Sequence, residues 1–301
     1  MVTQANLVVS AVEADQAAAA RAYAVSAFMT RAAKAPAAAC PWELIGFADG
    51  SAQERAAVAW IIADKIMKER AGHCRGYQLW RDAVLKGVAL SGDDARLVQP
   101  FIRPVFGLPP KGNEAEDHVP GHVGEWLWYL LTHEERLRGH ELALLEAPSW
   151  SVTEGGGDGF VVHRIPEAGS GTALIFKLWE IKKFTGGGSV SDTITKAATQ
   201  LANRGDEYVA KISWANSKLP GDLGLLMTEL TELWMRADPR GGAGVSVSTN
   251  MATAPKRAAF TQVPTYLPQL VHPGQLRGLV IAAEDFTAFA TQVRGYLWSA
   301  L

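Results

Sequence analysis

The sequence predicts a mixed α/β fold whose first third is mainly α-helical. Residues 1–112 are rich in Ala and other helix formers. From about residue 118 onward, short apolar runs alternate with amphipathic helical patterns. Two of those runs, DGFVVHRI (158–165) and TALIFKLWEIKKF (172–184), carry the β-branched and aromatic content of strands. With 301 residues, 48% of them hydrophobic, the chain can bury a sizeable core, as one large domain or two smaller ones.

Taken in order, 11–35 and 51–72 read as helices, the second opened by the capping-box spacing of Ser51 and Glu54. The patterns at 75–90 and 93–107 read as shorter helices, the latter cut by Pro100 and Pro104. The polar, Pro- and Gly-containing stretch 108–121 reads as a linker. It places a boundary between an N-terminal region, 1–112, and a second domain, 113–301. Beyond it come a strongly apolar helix (122–137), a strand (141–148), the pair of strands 158–165 and 172–184, and a helix (189–204) with Ile194, Ala197, Ala198 and Leu201 on one stripe. Helices at 205–216 and 221–237, strands at 244–248 and 276–283 and a closing amphipathic helix (284–300) complete the reading.

Composition narrows the class. No apolar stretch approaches the roughly 18–20 residues that span a bilayer, so no membrane role is expected. The opening residues lack a basic segment followed by an apolar core. Cys40 and Cys74 cannot build a disulfide framework. These features predict a cytoplasmic protein. The net charge of −2 excludes a protein that coats nucleic acid by bulk electrostatics. Locally the balance differs, since residues 177–218 hold seven basic side chains against four acidic ones, a balance of +3. That permits a phosphate-binding face, and a solvated charged surface equally.

The chemistry concentrates at the end of TALIFKLWEIKKF. Strand side chains alternate with period two, so Glu180 and Lys182 share a face with Leu174, Phe176 and Leu178. Asp158 opens the preceding strand, and neighbouring strands can bring Asp158, Glu180 and Lys182 to one point. Phosphodiester cleavage needs a divalent metal to neutralise phosphate charge and to supply hydroxide near neutral pH. Mg²⁺ prefers oxygen ligands and takes one or two carboxylates with several waters. Asp158 and Glu180 match that demand, the backbone carbonyl of Ile181 lies between them, and Lys182 can orient or help deprotonate a water. Individually each residue has a plainer explanation: a strand-end ion pair, a turn aspartate, a carboxylate near a helix start.

Asp158, twenty-one intervening residues and then Glu180-Ile181-Lys182 resemble the signature of the PD-(D/E)xK nuclease superfamily. The resemblance covers about residues 118–212. It implies a restriction-endonuclease-like fold, a mixed central sheet flanked by helices, with the acids carried on a β-hairpin between two helices. Gly157 stands where the family often has Pro. Glu125 matches an acidic residue that family members often place on the preceding helix, as a catalytic residue and further metal ligand. Gln200 matches a polar residue on the helix that follows, and Lys196 and Arg204, on the same side as Gln200, are the expected nucleic-acid contacts. The implied activity is Mg²⁺-dependent hydrolysis of DNA, with Mn²⁺ as an alternative ion.

GEWLWYLL, DGFVVHR and LWEIKKF are also similar to the nuclease subunit of Hachiman-type bacterial antiphage systems. That likeness implies a helicase or ATPase partner, since no ATPase motif is present here, and a docking or regulatory role for the first third. The alternative is a nucleic-acid-binding or scaffolding protein that keeps the fold without cleaving.

Other motifs are weaker. His118 and His122 have zinc-pair spacing but lack the Glu of the zinc-protease motif, and His73 and Cys74 have no second cluster. The triplets Gly155–Gly157 and Gly186–Gly188 lack the Lys-Ser/Thr of a P-loop. Trp60, Trp126, Trp128 and Trp234 lie in helical apolar patterns and are expected in the core.

Overall fold

The computed structural model describes residues 7–47, 50–109, 118–135, 137, 139–150, 157–167, 171–184 and 186–301. Helices α1 (Ala11–Ala20), α2 (Ala52–Ala71), α3 (Gly76–Lys86) and α4 (Gly92–Phe106) occupy the first third, with strands β1 (Met29–Lys34) and β2 (Trp42–Phe47) between α1 and α2. The chain continues through α5 (Val119–Glu134), β3 (Glu141–Leu145), β4 (Gly159–Pro166), β5 (Thr172–Lys183), α6 (Val190–Ala215) and α7 (Gly221–Met235). It closes with β6 (Gly241–Asn250), α8 (Val263–Tyr266), β7 (Leu276–Ala283) and α9 (Phe286–Trp298).

The strands form one seven-stranded sheet in the order β1-β2-β7-β6-β5-β4-β3. Its centre, β2-β7-β6-β5, is parallel, and antiparallel pairs flank it on both sides: β1 on β2, and β4 and β3 beyond β5. The two central strands are buried on both faces: in β6 nine consecutive residues are buried, and β7 is buried at all but one position.

Alternation along the strands separates two cores. Phe160, Val162, Leu174, Phe176 and Leu178 pack on one face with α6, α7 and α8. Val161, Trp179 and Ile181 pack on the other with α5, α9 and the helices of the first third. Trp60, Trp126, Trp128 and Trp234 are buried as expected.

Several local expectations are corrected. The predicted helix 11–35 is α-helical only over Ala11–Ala20 and ends in strand β1. The first third is mainly helical, as expected, but it also supplies β1 and β2: β2 pairs with β7 (Ile45 with Ile281), so one sheet takes strands from both sides of the expected boundary. That boundary, 112/113, and most of the expected linker lie outside the described residues, and Val119–Gly121 already belong to α5. α4 runs unbroken through Pro100 and Pro104. The helices expected at 189–204 and 205–216 are one helix, because Gly205 is an approach point and not a stop: a Cβ there would lie 2.4 Å from the Trp234 ring of α7. Ser51 caps α2 by accepting the Glu54 N–H at 3.1 Å.

Candidate metal and active site

The site is built where β4 begins and β5 ends. β4 and β5 are antiparallel, with Gly159 opposite Trp179. One residue before that pair, the Asp158 carboxylate takes over from the backbone and accepts the Ile181 N–H at 2.8 Å. The N–H and C=O of a strand residue project to the same side, so the Ile181 carbonyl also faces the Asp158 edge. Gly157 lets the chain enter close to its neighbours: a Cβ there would lie 2.7 Å from Leu178. Gly159 does the same beneath Trp128 of α5, 2.5 Å from a built Cβ.

Glu180 follows Leu178 on the α6 face and is fully buried. Lys182 lies two residues on, its ammonium 3.5 Å from Asp158 Oδ2 and in contact with Glu180 Oε1. One ammonium thus stands between two carboxylates, which puts their nearer oxygens less than about 6 Å apart, inside the ~8 Å beyond which one ion could not be shared at ligand distances of ~2–2.6 Å. The contact with Lys182 is close but poorly angled, and neither Glu180 oxygen has a well-formed hydrogen-bond partner.

The electrostatics follow from burial. Desolvation, and then the charge of Asp158, push the Glu180 carboxyl up to about 8. Asp158 is raised too, by burial first, against Lys182, which lowers it. Burial works against the charge on Lys182, but Asp158 and Glu180 prevail and hold its ammonium above the usual range. Two buried carboxyls that resist ionising together beside a charged amine form a tightly coupled, oxygen-rich cluster in which ionising both acids is costly without further positive charge.

Glu125 approaches from α5. His122, one turn earlier, is buried; its Nε2 accepts the Trp126 indole N–H at 2.9 Å and lies 3.1 Å from the Arg70 guanidinium. Nε2 is therefore the acceptor, the proton sits on Nδ1, and Nδ1–H donates to Glu125 Oε2 at 3.2 Å. Burial lowers the His122 pKa and keeps the ring neutral in this role. Glu125, Glu146, Gly157, Asp158, Tyr208 and Lys211 line a cavity of about 180 Å³. Glu180 lies outside that lining.

The remaining expected residues sit on α6. Gln200 donates to the Tyr208 hydroxyl at 2.8 Å, so it reaches the cavity through Tyr208. Arg204 is exposed, lies over the Tyr208 ring at 5.2 Å and pairs with Glu207. Lys196 is exposed two turns earlier. The structure thus brings Asp158, Glu180, Lys182 and the Ile181 backbone together, sets Glu125 at the cavity wall, and leaves Lys196 and Arg204 on the surface.

Three residues escape the sequence reading. Tyr208 lies two helical turns beyond Gln200, a spacing that could have signalled it. Glu146, whose carboxyl burial pushes upward and Asn216 binds at 2.5 Å, ends a strand pattern with no motif around it. His122 has zinc-pair spacing with His118, four residues back, but its partner is Glu125, three residues on. Among the described residues, no group of three or more His, Cys, Asp and Glu side chains is placed to hold a metal ion. No protein-family model, curated protein or solved structure matches the chain, so the reading of the site rests on its own residues.

Proposed function

We propose that the chain is a metal-dependent nuclease that hydrolyses DNA phosphodiester bonds. The observation that carries this reading is the buried Glu180 carboxylate, without a well-formed hydrogen bond and beside Asp158 at the mouth of a strand pair. Buried polar atoms are nearly always satisfied, and a buried carboxyl with one lysine contact and no well-formed hydrogen bond, next to a second carboxyl, leaves oxygen lone pairs open to a cation. The donor set fits Mg²⁺ or Mn²⁺: two carboxylates and the Ile181 carbonyl are hard oxygen ligands, and such ions take few protein ligands. When bound, the ion neutralises phosphate charge and makes hydroxide available near neutral pH.

The chain's own residues divide the remaining work. Lys182, held in its charged form, stabilises negative charge developing on the phosphate; a proton-accepting role does not suit an ammonium whose pKa is raised. The Ile181 N–H fixes the Asp158 carboxylate. Glu125, oriented by His122, is the carboxylate available on the cavity side. Lys196 and Arg204 offer positive charge along α6 to a phosphate backbone. The order helix α5, strand β3, hairpin β4–β5 with the acids, helix α6 supports a restriction-endonuclease-like arrangement. Action beside a helicase or ATPase in antiphage defence belongs to the same proposal and rests on the sequence likeness alone.

One observation favours the silent alternative, namely that no group of three ligating side chains stands ready among the described residues. Supercoiled plasmid incubated with the protein and Mg²⁺, alone and with a co-encoded helicase, separates the two. The nuclease reading expects nicking by the wild type that is lost in Glu180→Ala. Equal nicking by both proteins, or none by either under all conditions, removes it.

A further inference from the structure

On the opposite face of the sheet lies a cavity of about 380 Å³, between β4, β5 and the last turn of α5. Leu131, Val161, Ile175, Trp179 and Leu279 give it an apolar wall. Strand register explains the grouping. Val161 is opposite Lys177 and Gly159 opposite Trp179, so the odd-numbered residues of both strands face this side.

The polar groups are unusual in what they lack. Lys177 donates to the Gly274 carbonyl at 2.7 Å. Glu135, the carboxylate that acts on it through space, is already held by Arg277 and Arg31, and Glu43 is bound by the same two arginines. Two arginines and two glutamates cancel, and Lys177 is left as a net positive charge in the wall. Burial, with Arg277, pushes its ammonium down to about 8, the mark of a cation short of an anion. His163, beside His140 at 5.8 Å between ring centres, is pushed down to about 4 by burial and is neutral near pH 7. Trp179 lends its ring to the wall, while its indole N–H is itself fully buried.

We propose that this cavity binds a small organic oxyanion, a carboxylate or phosphate carried on a flat apolar body, with the Lys177 ammonium as counter-ion. The volume sits at the lower end of small-molecule pockets, ~300–1,000 Å³, and suits a compact ligand and not a polymer strand. The apolar wall takes the body and the unneutralised lysine takes the charge. The assignment is independent of the nuclease reading, because it uses none of the residues on the α6 face.

Calorimetric titration of the full chain with benzoate, phenyl phosphate and inorganic phosphate, with neutral benzamide as control, tests it. One equivalent of benzoate or phenyl phosphate binds, whichever prevails naming the oxyanion, and inorganic phosphate binds more weakly for want of a body. Lys177→Met weakens binding by about tenfold or more, the scale of one charged hydrogen bond. Lys177→Arg retains it and guards against a variant that has lost its fold. Equal binding by wild type and Lys177→Met, benzamide binding as tightly as benzoate, or no binding of any of the anions at millimolar concentration overturns the proposal.

Discussion

The Asp158 carboxylate accepts the Ile181 N–H at 2.8 Å, extending the β4–β5 ladder one step past its last backbone pair. A side chain thus does a backbone's work at the point where the chemistry is proposed, so fold and function are separable by substitution. Asp158→Ala strands the Ile181 N–H and is expected to cost about 1–3 kcal/mol in urea unfolding. Asp158→Asn keeps an acceptor oxygen, stays within about 1 kcal/mol of the wild type, and still loses Mg²⁺-dependent plasmid nicking.

Glu180 gives a pH dependence of definite sign. Its folded-state pKa, about 8, lies above the ordinary 4.5, so the folded chain holds this proton more tightly than the unfolded one. That contribution is fully present below the ordinary value and is lost as pH rises through about 8. Without metal, the wild type should lose stability relative to Glu180→Gln between pH 5 and 9, an interval set by that linkage at about one unit beyond the pKa. Thermal unfolding of the two proteins across that range, with and without Mg²⁺, checks it: Mg²⁺ should restore the wild type alone.

His122 sets the direction of the Glu125 carboxylate through its Nδ1–H while Trp126 and Arg70 occupy Nε2. His122→Phe removes all three interactions. Partners that orient metal-site groups typically contribute ten- to hundredfold in metal affinity, so the Mg²⁺ concentration for half-maximal nicking should rise about tenfold. An unchanged Mg²⁺ requirement in a folded variant would show that Glu125 does not act at the site.

Glu135, at the end of α5, ties β1 and β7 to that helix through Arg31 and Arg277. Burial opposes its charge, but Arg277 and Arg31 prevail and hold its carboxyl below the usual range. Its contribution is therefore present above the ordinary carboxylate pKa and lost as pH falls through the lower folded value. Glu135→Gln should cost about 1–3 kcal/mol at neutral pH, a difference that fades in acid, as chemical denaturation at successive pH values would record.

Legibility in the sequence tracked the strength of each local pattern. The run 172–184 announced β5 and the shared face of Glu180 and Lys182, because alternation in a buried strand leaves little choice. β1 was hidden, since MTRAAK buries only its first residue and reads as a continuation of the Ala-rich helix. Gly205 misled for the opposite reason: its lack of a side chain serves the contact with Trp234, which local sequence cannot display. The core of the candidate site, Asp158 with Glu180 and Lys182, was visible from spacing. Tyr208, Glu146 and the His122 relay were not, because they depend on how α5 and α6 meet the strand ends.

The central claim, that Asp158 and Glu180 share one divalent ion, is tested most directly by titrating the metal-free protein with Mn²⁺ and following the free ion by electron paramagnetic resonance. One ion per chain should bind to the wild type, and binding should be lost in both Glu180→Ala and Asp158→Asn while each stays folded. Retention of that ion by either variant, or its absence from the wild type, would contradict the claim.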